Sequence, residues 1–126
     1  MIGMLRDGPI PRFIHGVVEY IAAVLFIAAP FVFSYEDGYA VGVSIAVGVL
    51  LLVMAAATAG PSGLIHSIPV TVHAGMDYAV AAFLIAGPFI FGFNDEGAPT
   101  AWFIILGVVH LLMTIGTRFK DSPSSI

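Results

Sequence analysis

The sequence predicts an all-α fold: a four-transmembrane-helix bundle made of two tandem two-helix repeats with parallel pseudo-two-fold symmetry. Three observations predict it. Charged residues make up 10% of the chain and hydrophobic ones 60%, whereas a soluble domain carries about 25% charged residues. Four apolar runs, roughly 12–34, 39–59, 69–92 and 99–117, each approach or exceed the ~20 residues that a helix needs to cross a bilayer. Finally, residues 15–37 realign with residues 73–95 at an offset of 58.

The first run follows Pro11, and the third and fourth are opened by Pro69 and Pro99. Proline in a first helical turn loses no hydrogen bond, because the amides there have no partner inside the helix. Ser67 and Thr71 are candidate caps for the third helix. Pro30 and Pro88 fall near the far ends of the first and third runs. Each removes a backbone donor, and we read both as stop signals into the acidic turns that follow. Phe31, Phe33, Tyr35, Phe89, Phe91 and Phe93 are expected near that interface, with Tyr35 in an aromatic belt and the phenylalanines in packing or lipid contact. The first run is longer than a signal-peptide core and ends in a turn, not a small-residue cleavage site, so no cleaved leader is expected. The connections are short, so consecutive helices should run antiparallel. A single membrane domain, 1–126, is expected, with repeat 1 at about 12–59 and repeat 2 at about 69–117.

Charge sets the expected orientation. Arg6 and Arg12 precede the first run, and Arg118 and Lys120 follow the fourth. An even number of spans puts both termini on one side, and the positive-inside rule makes that side cytoplasmic, with the plasma (inner) membrane as the expected site. The opposite loops hold Glu36, Asp37, Asp95 and Glu96, expected to act as solvated turns. His66 is expected to lie exposed in the loop between the repeats.

Within the realigned segment, nine of 23 positions are identical, including His15/His73, Tyr20/Tyr78, Pro30/Pro88 and Asp37/Asp95. Glu19/Asp77 keeps the carboxylate. After one inserted residue the offset becomes 59, and Gly48, Val49, Leu52, Met54 and Thr58 match Gly107, Val108, Leu111, Met113 and Thr117. Apolar composition alone would not place His, an acid, Tyr and Pro in the same order twice. Each repeat holds an even number of spans, so the halves share an orientation about an axis along the membrane normal. His15 and His73 then lie at one depth, as do Glu19 and Asp77. At this level the chain resembles the SPW-repeat family of small membrane proteins, with Ala29-Pro30-Phe31 and Gly87-Pro88-Phe89 standing where that family carries Ser-Pro-Trp. The resemblance spans about residues 13–117. It implies the two-helix repeat and a membrane location, and no activity.

The candidate site is the pair His15–Glu19 and its copy His73–Asp77. Residues i and i+4 share one helix face, and ionisable groups in a membrane segment turn towards the bundle interior or a polar cavity. Three readings are open. Each histidine donates to its own carboxylate or to the partner helix, locking the halves as a polar clasp. Alternatively, His15, Glu19, His73 and Asp77 bind a metal ion, or His15 and His73 ligate haem. Finally, the groups form a proton or ion path. His110 breaks the repeat, since Leu51 stands at its counterpart; it is expected to be neutral and bonded to a backbone carbonyl or Thr114. Small residues on the third helix (Gly75, Ala79, Ala82, Ala86) and on the second (Gly42, Ala46) suit close helix approach, within the chain or between copies.

With no cysteine the chain has no thiol chemistry. It has no HExxH, phosphate loop or serine elbow, and its four basic residues are too few for nucleic acid. No catalytic residue is expected. The leading expectation is a non-enzymatic membrane protein, accessory or oligomerising, with the bilayer and a homo-oligomer or larger membrane complex as partners. The alternative is a metal- or haem-binding membrane protein.

Overall fold

The computed structural model describes residues 9–58 and 68–118. Four helices follow in order: α1 (Arg12–Val32), α2 (Gly38–Ala57), α3 (Val70–Ile90) and α4 (Gly97–Gly116). Each is long and apolar enough to cross a bilayer, and the chain is an integral, multi-pass membrane protein. Arg6, His66, Ser67 and Lys120 lie outside the described residues. Two short extended segments, β1 (Ile10–Pro11) and β2 (Thr117–Arg118), pair in parallel beside the ends of α1 and α4.

α1 packs along α2, and α3 along α4. Glycine permits both contacts. A Cβ on Gly48 would lie 2.7 Å from the Ala23 carbonyl oxygen and 2.5 Å from Ile27 Cγ1, and one on Gly107 would lie 2.9 Å from Ile85 Cγ1. By contrast, Gly42, Ala46, Ala79 and Ala82 face outwards. The core between the pairs holds Phe26, Leu51, Met54, Leu84, Phe93 and Phe103. The Phe103 ring sits edge-on to Phe26 at 5.5 Å and to Phe93 at 5.1 Å. The outer surface is apolar along the helices, with Ile21, Val24, Val53, Val72, Ile105 and Leu112 all exposed, as lipid requires.

Both prolines sit inside their helices, which continue two residues beyond them. Pro30 cannot donate to the Phe26 carbonyl four residues back, and the Ser44 hydroxyl of α2 donates to that oxygen instead at 2.6 Å. The helices then end alike. Phe33 N–H donates to Ala29 O, and Tyr35 N–H to Pro30 O; Phe91 and Phe93 repeat this with Gly87 and Pro88. Ser34 and Gly92 take positive φ, 53° and 74°, between those bonds, as the left-handed cap of a helix requires.

Several expectations for the ends are corrected. α3 has Pro69 at its N-cap and no side-chain cap, so Thr71 does not serve there. Tyr35 is 7% exposed and Phe93 1%, so Tyr35 is packed inside and not in an aromatic belt. Burial, joined by the Glu96 carboxylate, pushes the Tyr35 phenol up to about 12. The acidic turns are more than solvated. Asp37 caps α2 by accepting from Tyr39 and Ala40 N–H, and Glu96 accepts from the amides of Glu36 and Asp37 at 2.8 and 3.0 Å, tying the α1–α2 and α3–α4 turns together.

Candidate functional site

α1 and α3 begin at one end of the bundle, where α2 and α4 finish. His15 is three residues into α1 and Glu19 seven, and His73 and Asp77 hold the same places in α3. At about 1.5 Å per residue, the imidazoles sit ~5 Å and the carboxylates ~10 Å from the helix starts. All four residues are at most 5% exposed.

The imidazoles reach across to the other repeat. His15 Nε2 bonds Asp77 Oδ2 at 2.9 Å and lies 3.5 Å from its own Glu19 Oε2. His73 Nε2 bonds Glu19 Oε2 at 3.0 Å and lies 3.2 Å from its own Asp77 Oδ2. Glu19 Oε1 is also 2.8 Å from His73 Nε2, off the hydrogen-bond axis. Four atoms thus close a ring of alternating nitrogen and oxygen. Of the two expected options, own carboxylate or partner helix, the cross-repeat one is the shorter contact for His15; for His73, both Glu19 oxygens lie nearer than its own Asp77.

Each imidazole is held from behind by a threonine. His15 Nδ1 is 2.6 Å from Thr117 Oγ1, and His73 Nδ1 is 2.5 Å from Thr58 Oγ1. Both hydroxyls donate their single proton to the carbonyl four residues back, Met113 and Met54 respectively. A hydroxyl so engaged can only accept, so each histidine carries a hydrogen on Nδ1 and turns Nε2 to the carboxylates. Here too the contact crosses repeats. The same holds for the backbone, where Ile10 pairs with Thr117 and Ile68 bridges Thr58.

His110 joins the cluster, contrary to expectation. Its Nε2 lies 3.3 Å from Asp77 Oδ1, and its ring is 6.3 Å from that of His15. It lies deeper than His73, as its place in α4 dictates, but it is level with the carboxylates, which sit one turn deeper than the imidazoles. Thr114 donates to the His110 backbone carbonyl at 2.8 Å. An apolar crevice between α1 and α4, lined by Val18, Leu25, Leu106, Val109 and Met113, opens beside His110.

Thr58 and Thr117 were present in the sequence as a matched pair, and that match was the signal of their role. The donor atoms of His15, Glu19, His73 and Asp77 all fall within 4.8 Å of one another. Such a set is able to share protons, hold the repeats together or ligate an ion. The SPW repeat domain family matches residues 13–117. Comparison with curated proteins and with solved structures gives no match.

Proposed function

The chain belongs to the SPW repeat family, and from that premise we propose that it is a non-enzymatic membrane protein whose two repeats are locked by a buried His–carboxylate clasp, serving as an accessory or oligomerising subunit. One observation carries the reading: each carboxylate is contacted by the histidines of both repeats. Loss of one member leaves buried polar partners behind, so the clasp resists separation of the halves. The paired contacts, His15–Asp77 with His73–Glu19 and His15–Thr117 with His73–Thr58, support repeats at about 12–59 and 69–117 related by a pseudo-two-fold axis. The outward small residues Gly42, Ala46, Ala79 and Ala82 support association between copies in the bilayer, where packing replaces the hydrophobic driving force. The basic residues flanking the first and last helices support cytoplasmic termini and a plasma-membrane location.

The test is the full chain in mild detergent with His15→Ala and His73→Ala. Both variants are expected to unfold at lower denaturant than the parent with native helix content beforehand. Unchanged unfolding in both would remove the clasp. A second reading, ion binding, is favoured by the convergence of the four donors within 4.8 Å.

A further inference from the structure

We infer that the clasp is a site for one borderline divalent transition-metal ion of the zinc type, ligated by Nε2 of His15 and His73 and one oxygen each of Glu19 and Asp77. The inference rests on the clasp reading, because the same cross-repeat contacts bring the donors together.

Spacing comes first. The four edges of the nitrogen–oxygen ring are 2.9, 3.0, 3.2 and 3.5 Å. Zinc bonds to nitrogen and oxygen of ~2.0 Å place neighbouring ligands of a tetrahedron about 3.3 Å apart. The edges bracket that value, so only the diagonals need to close.

Orientation comes second. An imidazole ligates through a lone pair, and a partner on its other nitrogen fixes which nitrogen is free. Thr58 and Thr117 do this for both histidines, since their hydroxyl protons are committed to Met54 and Met113 carbonyls. Both Nε2 atoms therefore face the carboxylates, through a proton in the clasp and through a lone pair once an ion replaces that proton. Thr58 and Thr117 are positioning residues.

Charge comes third. With hydrogens kept on Nδ1 and the bridging Nε2–carboxylate protons gone, the two imidazoles are neutral and the two carboxylates bring two negative charges into a site at most 5% exposed. Two protons or one divalent cation balance them, so an ion exchanges for two protons with no net buried charge. Two imidazoles disfavour calcium and magnesium, which take oxygen. Glu19 Oε2 and Asp77 Oδ2 lie within 3.5 Å of both Nε2 atoms, which leaves no slot for a porphyrin between the imidazoles. Asp77 Oδ1 and His110 Nε2 stand next to the ring, 3.3 Å apart and without aligned hydrogen bonds.

The test is equilibrium dialysis of the full chain in mild detergent against zinc chloride and then zinc-free buffer, with metal counted per folded chain. One zinc per chain is expected, falling at least tenfold in Asp77→Asn and His73→Ala. Cobalt(II) in place of zinc should give the intense visible bands of a tetrahedral site, and Thr58→Val should weaken cobalt binding by about 10–100-fold. Wild-type chain of normal helix content that retains no zinc and gives no cobalt bands overturns the inference, as does equal zinc binding by Asp77→Asn. If a variant does not fold, the wild-type cobalt spectrum alone decides. An absent ion with His15→Ala still destabilising leaves the clasp standing and removes only the metal; stable variants remove the clasp.

Discussion

Asp77→Asn is the most informative single change. The residue keeps its volume and one carbonyl oxygen but loses its charge. Asp77 makes one hydrogen bond of 2.9 Å to His15 and longer contacts of 3.2 and 3.3 Å to His73 and His110. A hydrogen bond to a charged group contributes ~1.5–3 kcal/mol, while interhelical polar contacts in membranes average only about 0.6 and reach about 1.7 kcal/mol. One good bond plus two longer contacts, partly recovered by the amide, gives a loss of about 2 kcal/mol. Unfolding in mixed detergent micelles would be followed by circular dichroism and by fluorescence of Trp102, which packs against Phe33 at 5.2 Å. The exposed Asp95→Asn should shift stability by less than ~0.5 kcal/mol. A loss in Asp77→Asn no larger than in Asp95→Asn would mean that the Asp77 charge does not hold the clasp.

Thr117→Val keeps the shape of the side chain and removes the acceptor for His15 Nδ1–H; it should cost about 1–3 kcal/mol in the same unfolding assay, and Thr58→Val should match it. Gly48→Ala drives a methyl to 2.7 Å from the Ala23 carbonyl, so it should destabilise by ~1–3 kcal/mol, whereas Gly42→Ala, with nothing within 4 Å, should not. Tyr35 titrates late: a group whose pKa is raised on folding stabilises the fold fully below its unfolded value, about 10, and that contribution is lost as pH rises through about 12. Ultraviolet titration should therefore show a phenol ionising near pH 12 that is absent in Tyr35→Phe.

The four spans were legible because hydropathy marks them, and each observed helix starts and stops within about two residues of the apolar run that predicted it. The donor set was legible because the repeat printed it twice. What the sequence hid was the pairing across repeats: i,i+4 spacing places His15 above Glu19, yet the shorter bond goes to Asp77, and only tertiary packing decides that. His110 was hidden for a related reason. Depth counted from helix ends set it apart from His73, but the Asp77 carboxylate it faces lies one turn deeper. Tyr35 looked like an interface residue by position, and the left-handed cap at Ser34 turns the chain so that it packs inside. The small-residue stripe on α3 gave no hint of which side it would face, and the intrachain contacts went to Gly48 and Gly107 instead.

Coupling between the two repeats through the histidines is what the proposed clasp requires. A double-mutant cycle between His15 and Asp77, run in chelator, measures it most directly, with His15 and Glu19 as the within-repeat comparison. A coupling of about 1 kcal/mol or more is expected for His15–Asp77, at 2.9 Å, and a smaller one for His15–Glu19, at 3.5 Å. Additivity of His15 and Asp77 within ~0.5 kcal/mol would contradict the clasp.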